Sequence, residues 1–157
     1  MENLYTCYYH SPIGIIKVDS DNIGITSILF LDNKPETISN GESCTYMKDC
    51  IQQLDEYFKG TRKDFSIKLH ICGTPFREKV WNELMKIPYG QTCSYSDIAN
   101  AISNEKALRA IGGANHHNKI NIIIPCHRVI GKSGNLTGYG GGLWRKKWLL
   151  EHEQKYK

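Results

Sequence analysis

A boundary near Cys72-Gly73 splits the 157-residue sequence into two halves of different periodicity, and that split constrains the fold more than any other feature. Before it, Leu4–Tyr9, Gly14–Val18 and Gly24–Phe30 are short and rich in β-branched and aromatic residues. They are separated by the turn formers Ser11-Pro12 and Asp21-Asn22, so they read as strands. Tyr46, Cys50, Ile51, Leu54, Tyr57 and Phe58 then recur at helical spacing, with Gly60 as the stop. Ile67, Leu69 and Ile71 alternate with polar residues and predict a strand returning to the sheet. Beyond the boundary, Thr74 can cap a helix that starts at Pro75, and Phe76, Val80, Trp81 and Leu84 form its apolar stripe. Ile87-Pro88-Tyr89-Gly90 ends that helix, and Trp81 reads as a core residue.

Charge divides at the same place. Residues 1–70 carry 7 Lys/Arg against 10 Asp/Glu, a balance of −3, and residues 71–157 carry 13 against 6, a balance of +7. A basic half suits either a polyanionic partner or a solvated lysine-rich face. A chain of this length buries roughly 70% of its unfolded surface, so neither metal nor disulfide is required for folding. The six cysteines (Cys7, Cys44, Cys50, Cys72, Cys93 and Cys126) contain no C-x-x-C pair. Cys7 with His10, and His70 with Cys72, each resemble half of a zinc site that has no second half, so no metal is expected. No apolar run approaches the ~20 residues of a membrane span. Met1–His10 has neither the basic flank nor the apolar core of a signal peptide, so a cytoplasmic protein with reduced thiols is expected.

Two stretches of the basic half stand out. Ser94 to Asp97 is a capping-box-like start for a short helix through Ile102. Ser103-Asn104 turns the chain, and a second helix is expected from about Glu105 to Asn115. That second helix carries Ala107, Ala110, Gly112, Gly113 and Ala114, with Arg109 as its one long basic side chain past the first turn. Paired glycines cost a helix about 1 kcal/mol each relative to alanine, which is tolerable where another helix or a DNA groove must come close. The other stretch is Ile122-Ile123-Ile124-Pro125-Cys126-His127: three isoleucines predict a buried strand, which Pro125 ends, with a thiol beside an imidazole immediately after. A thiol so placed in a basic neighbourhood can exist partly as thiolate; equally, Cys126 can be a small buried hydrophobe and His127 a satisfied core histidine. Glycines 131, 134, 138, 140, 141 and 142 follow, a loop whose backbone can approach a flat ligand. A last helix then bears Trp144, Trp148, His152 and Glu153, and a carboxylate on it can orient His127.

Pro125-Cys126-His127-Arg128-Val129 resembles the PCHRV signature of the methylated-DNA–protein-cysteine methyltransferases, the suicide repair proteins for 6-O-alkylguanine. The resemblance spans roughly residues 75–153, through Ile87-Pro88-Tyr89-Gly90, Ser94-Tyr95, Arg109–Ala114, Asn118, Thr137–Leu143 and Trp148–Glu153. It implies an α+β fold: a scaffold domain over 1–72 with a small antiparallel sheet and helices, and a mostly helical domain over 73–157. That second domain would hold a winged-helix-like helix-turn-helix and the active-site cysteine. Carried over, Cys126 would accept the alkyl group, His127 would draw its proton through a water, and Glu153 would complete the relay. Tyr95 would pack against the rotated DNA backbone and donate a proton to the guanine ring, while Asn118 would tie the recognition helix to the active-site turn. Arg109 would fill the vacated stack, and Ala110, Gly113, Ala114 and Asn115 would share its DNA face. The carbonyls of Cys126 and Val129 would read the guanine amino group, and Tyr139, Gly140 and Gly141 would close over the base. The partner would be double-stranded DNA bearing alkylated guanine, bound by a monomer with no cofactor, and alkylated thymine is a further expected substrate.

The sequence departs from a common family pattern where Lys119 follows Asn118 in place of the proline often found there, at His116-His117, and at Gly140 where some relatives carry serine. Paired histidines there imply pH-dependent DNA affinity. Three other readings compete: an alkyltransferase-like protein that binds damage without reacting, a cysteine hydrolase built on Cys126 and His127, and a plain helix-turn-helix regulator. Cys126 argues against the first, and the lack of a singled-out oxyanion hole argues against the second.

Overall fold

The computed structural model describes residues 4–35 and 44–157. It is an α+β protein that divides after Ile71 into two compact units.

In the first unit, β1 (Tyr5–Ser11), β2 (Gly14–Ser20) and β3 (Ile25–Phe30) form an antiparallel meander in that order. The β1–β2 turn needs Gly14 at φ +115, and Ser11 Oγ donates to the Gly14 carbonyl across it. Period-two alternation puts Ile16 and Val18 of β2 in the core beside Cys7 of β1, and in β3 Ile25 and Ile28 are both buried, across a register shift at Asp19/Ser20. Helix α1 (Thr45–Phe58) covers that core with Met47, Cys50, Leu54, Tyr57 and Phe58, and Gly60 follows it at φ +81. The strand expected around Ile67–Ile71 is reduced to a single parallel bridge, Ile25 to Leu69. Ile67, Leu69 and Ile71 are only half-buried, and their alternation is too shallow to hold a full ladder.

In the second unit, Thr74 caps α2 (Pro75–Leu84) by accepting from the Arg77 N–H at 3.2 Å, and Val80, Trp81 and Leu84 are buried. The helix stops at Leu84, three residues short of Ile87. Trp81 Nε1 donates to the Ala114 carbonyl at 2.8 Å, which fixes α2 against the helix that carries Ala114. The capping box at Ser94 forms as the spacing predicts. Ser94 Oγ accepts from the Asp97 N–H at 3.1 Å, and Asp97 Oδ2 accepts from the Ser94 N–H at 2.8 Å, opening α3 (Tyr95–Ala101). Ser103 makes the turn at φ +56. Helix α4 (Leu108–His116) starts three residues later than expected, because the Ala107 N–H bonds back to the Asn104 carbonyl in a turn and no side chain caps the helix earlier. Arg109 therefore lies in the first turn of α4. The last helix, α5 (Leu143–Lys155), leaves Gly142 at φ +96. Among the described residues no helix is long and apolar enough to cross a membrane.

Two short strands matter most for function. β4 (Cys93–Ser94) pairs in parallel with β5 (Val129–Ile130), tying the start of α3 to the segment just after Cys126. Because the capping box holds this junction, Ser94→Ala should cost about 1 kcal/mol. Thermal melts followed by circular dichroism should show the midpoint falling by roughly 2–4 °C.

Candidate active site

The three isoleucines before Cys126 form a buried turn, not a strand. Ile122 sits at φ +72, a region a β-branched side chain rarely adopts. The turn closes through Ile123 N–H to Asn121 O (2.8 Å), Ile124 N–H to Ile120 O (3.1 Å) and Cys126 N–H to Ile124 O (2.8 Å). Asn118 holds it together: its Oδ1 accepts from the Ile120 N–H at 2.9 Å and its Nδ2 donates to the Ile124 carbonyl at 2.9 Å. A continuous apolar run reads alike for a buried strand and a buried turn, so periodicity could not separate them. Pro125 then leads into a single 3-10 turn, Cys126–Arg128, with all three side chains buried.

The same Asn118 Nδ2 donates to Cys126 Sγ at 3.2 Å. Burial pushes the Cys126 thiol above its ordinary range, opposed by the Asn118 hydrogen bond and the nearby Lys146 charge. The resting sulfur is therefore a thiol rather than the partial thiolate that its basic neighbourhood suggested.

Beside it lies a charged hub. Glu153 on α5 is almost fully buried, and its Oε2 meets His127 Nε2 at 2.7 Å. Arg128 donates to both of its oxygens, Nε to Oε1 at 2.9 Å and Nη2 to Oε2 at 3.1 Å, and Nη1 to the Ile87 carbonyl at 2.7 Å. The Gly90 N–H adds a further bond to Oε1 at 3.1 Å. Burial works to raise the Glu153 carboxyl, but the hydrogen bonds of His127 and Arg128 and the adjacent guanidinium charge prevail and hold it far below the usual carboxylate range. Burial pushes His127 down against the pull of Glu153, so the imidazole is neutral at pH 7. With Nε2–H donating to the carboxylate, Nδ1 carries the lone pair. That atom is buried and has no hydrogen-bond partner among the described residues.

Cys126 lines a cleft of about 530 Å³ together with Tyr95, Gly112, Asn115, His116, Gly138, Tyr139 and Gly140. A Cβ placed on Gly112, Gly113, Gly138 or Gly140 would meet nothing within 4 Å, so the glycines of both α4 and the loop border open space. Among the described residues nothing packs on the paired glycines of α4. The arrangement provides a thiol and two tyrosines lining one cleft, and on the residue next to the thiol a buried imidazole nitrogen.

Two family models match the chain: "6-O-methylguanine DNA methyltransferase, ribonuclease-like domain" over residues 4–71 and "6-O-methylguanine DNA methyltransferase, DNA binding domain" over residues 75–155. The chain belongs to the methylated-DNA–protein-cysteine methyltransferase family. Among its relatives is the methyltransferase of Methanosarcina acetivorans, 43% identical over 155 residues that cover 96% of this chain and 98% of that protein. The constitutive methyltransferase of Bacillus subtilis is 45% identical over 160 residues, covering 97% and 96%. The crystal structure of Mycobacterium tuberculosis OGT in complex with DNA matches with a TM-score of 0.87 and 42% identity, covering 96% of this chain and 93% of that one.

Seen as a member of this methyltransferase family, the chain brings most of the expected residues together. Cys126 is hydrogen-bonded to Asn118 and the adjacent His127 to Glu153, with Tyr95, Tyr139, Gly140 and Asn115 around the cleft. Val129 is buried behind the cleft with its carbonyl already accepting from Lys146 Nζ at 2.6 Å, and the Cys126 carbonyl accepts from the Val129 N–H, so each keeps one lone pair. Gly141 is buried, its carbonyl accepting from Arg145. Arg109 and Ala110 are exposed and Gly113 is half-buried, whereas Ala114, expected on the DNA face, is turned into the core with its carbonyl held by Trp81. Among the described residues no three His, Cys, Asp or Glu side chains converge as a metal site.

Sequence reading missed three groups. Arg128 donates to both oxygens of Glu153. Lys146, with no exposed surface, donates to Val129 O and, at 3.0 Å, to Thr137 O. Thr137 Oγ1 shares a 2.6 Å hydrogen bond with the Tyr95 hydroxyl. Only Lys146 left a signal: it lies three and seven residues before Leu149 and Glu153, on the buried stripe of α5.

Proposed function

We propose that this protein repairs duplex DNA by moving the alkyl group of 6-O-alkylguanine, and of 4-O-methylthymine, irreversibly onto Cys126. The observation that carries this reading is the Asn118–Cys126 contact at the cleft wall, backed by a buried His127–Glu153 pair whose Nδ1 has no hydrogen-bond partner among the described residues. The solved DNA complex of a relative 42% identical supports DNA as the partner. The target oxygen is inaccessible inside a duplex, so the nucleotide is flipped into the cleft at a cost of a few kcal/mol. Arg109 fills the vacated stack, and Ala110, Gly113 and Asn115 run along the groove.

In the cleft, His127 Nδ1 takes the Cys126 proton through a bridging water, and Glu153 stabilises the imidazolium. The thiolate attacks the alkyl carbon; an S–C bond forms as the C–O bond breaks, and the electron pair stays on guanine. Tyr95 gives its proton to the guanine ring, while N–H groups of the 139–141 loop stabilise the departing oxygen. A thioether has no facile leaving chemistry, so the protein acts once. It works as a monomer in the cytoplasm, where its six free thiols stay reduced.

Incubation with DNA carrying excess 6-O-methylguanine tests this. Intact mass should rise by one CH₂, about 14 Da for a single S-alkylation, and then stop. Peptide mapping should place the methyl on Cys126 and on none of Cys7, Cys44, Cys50, Cys72 or Cys93. Multiple turnovers, or a methyl on another cysteine, would overturn the reading.

A further inference from the structure

We infer that Thr137 is a positioning residue for proton donation by Tyr95: its hydroxyl orients the phenol and stabilises the phenolate left when the proton moves to guanine. This rests on Tyr95 being the proton donor, as proposed above. The cleft offers two phenols, and they are differently equipped. Tyr139 has a buried hydroxyl with no hydrogen-bond partner among the described residues, and burial pushes its ionisation well above the ordinary range, so it is a poor source of a proton. Tyr95 instead shares a 2.6 Å hydrogen bond with Thr137 Oγ1, in which either oxygen can serve as donor. That ambiguity is what the step needs. Tyr95 can park its proton on Thr137 in the empty cleft, then turn it to the base while the threonine hydroxyl rotates to donate in return.

Thr137 is unusually well held for a residue in a glycine-rich loop. Lys146, fully buried, donates to its carbonyl at 3.0 Å and to the Val129 carbonyl at 2.6 Å, so one ammonium anchors the threonine to the segment bearing Cys126. Its Cγ2 lies 3.7 Å from where a Cβ of Gly131 would stand. Tyr95 is anchored from the other side, since it follows Ser94, whose pairing with Ile130 joins β4 to β5. The next residue, Gly138, borders open space, so the contacts that hold this stretch of the loop fall on Thr137 itself.

The step balances. The Cys126 proton has left through His127 to solvent. The S–C bond forms, the C–O pair stays on guanine, the Tyr95 proton moves to a guanine ring nitrogen, Thr137 donates to the phenolate, and solvent water later returns a proton to Tyr95.

Two reagents separate positioning from packing. Free 6-O-benzylguanine has a leaving group that must be protonated, whereas iodoacetamide loses iodide without a proton; both rates are read at Cys126 by peptide mapping of the full-length protein. Thr137→Val, which keeps shape but removes the hydroxyl, should slow benzyl transfer by about ten- to a hundredfold, the range of one hydrogen bond to a charged group. Its alkylation by iodoacetamide should stay within about twofold, on the same argument that no such bond forms there. Thr137→Ser should restore most of the benzyl transfer, and Thr137→Ala replaces the valine variant if the latter does not fold. Equal slowing with both reagents, no slowing, or failure of serine to rescue would overturn the inference. Tyr95→Phe isolates the underlying reading. If it leaves benzyl transfer unchanged, Tyr95 is not the donor and both fall; if it slows transfer while Thr137→Val does not, only the role of Thr137 falls.

Discussion

Glu153→Ala is expected to destabilise the second unit by about 3–5 kcal/mol, the cost of breaking a buried ion pair from one side. It should also slow alkyl transfer at least about a hundredfold, in line with loss of general base catalysis. Glu153 receives hydrogen bonds from His127, Arg128 and the Gly90 N–H, and each becomes a liability when the carboxylate goes. Arg128 would keep its guanidinium in the core with one remaining acceptor, the Ile87 carbonyl. His127 would lose the partner that fixes its Nε2 proton, and with it the lone pair on Nδ1. Urea titration reads the first effect and the rate of benzyl transfer the second; wild-type values for either would show that the hub is dispensable.

The same hub sets an acid limit. The folded-state pKa values of both His127 and Glu153 are depressed, so below about 6.5 for His127 and about 4.5 for Glu153 the unfolded chain takes up protons that the native state refuses. Their contribution is present above those values and is lost as pH falls. Stability of the wild type should therefore decline from about pH 6.5 downward, and Glu153→Ala should lack the part of that decline below about pH 4.5.

Arg109→Ala should weaken repair of duplex DNA by roughly ten- to a hundredfold, the equivalent of about 1.4–3 kcal/mol of lost extrusion energy. Reaction with free 6-O-benzylguanine should be almost unchanged. The placement of Arg109 supports this split. It is exposed in the first turn of a helix that has no side-chain cap and no acidic residue there, where a cation opposes the helix dipole. Helix stability thus gives no reason for an arginine at this position, and the neighbouring glycines leave the adjoining groove open. Parallel single-turnover assays on the two substrates read the ratio, and equal losses would show that Arg109 supports the fold instead.

Much of this protein was legible without coordinates wherever the signal is local. The strand periods of β1, β2 and β3, the Thr74 and Ser94 caps and the apolar faces of α1 and α2 depend on neighbours within a few residues. The Cys126-His127 pair with a carboxylate helix downstream was legible as chemistry, although the residues alone also allowed a buried thiol and a core histidine. Tertiary structure decided what local signals could not. It turned the Ile122–Ile124 run into a tight turn, because the Asn118 amide can satisfy that backbone only when the chain folds back on it. It reduced the Ile67–Ile71 strand to a single bridge and moved the start of α4 to Leu108, since ladders and helix starts depend on partners distant in sequence or on a cap that is missing here. It kept Cys126 protonated at rest by burying it, which a basic composition cannot reveal. Above all it brought Lys146, Thr137 and Tyr95 together: a cation enters a core only where carbonyls converge to receive it, and that convergence exists only in three dimensions.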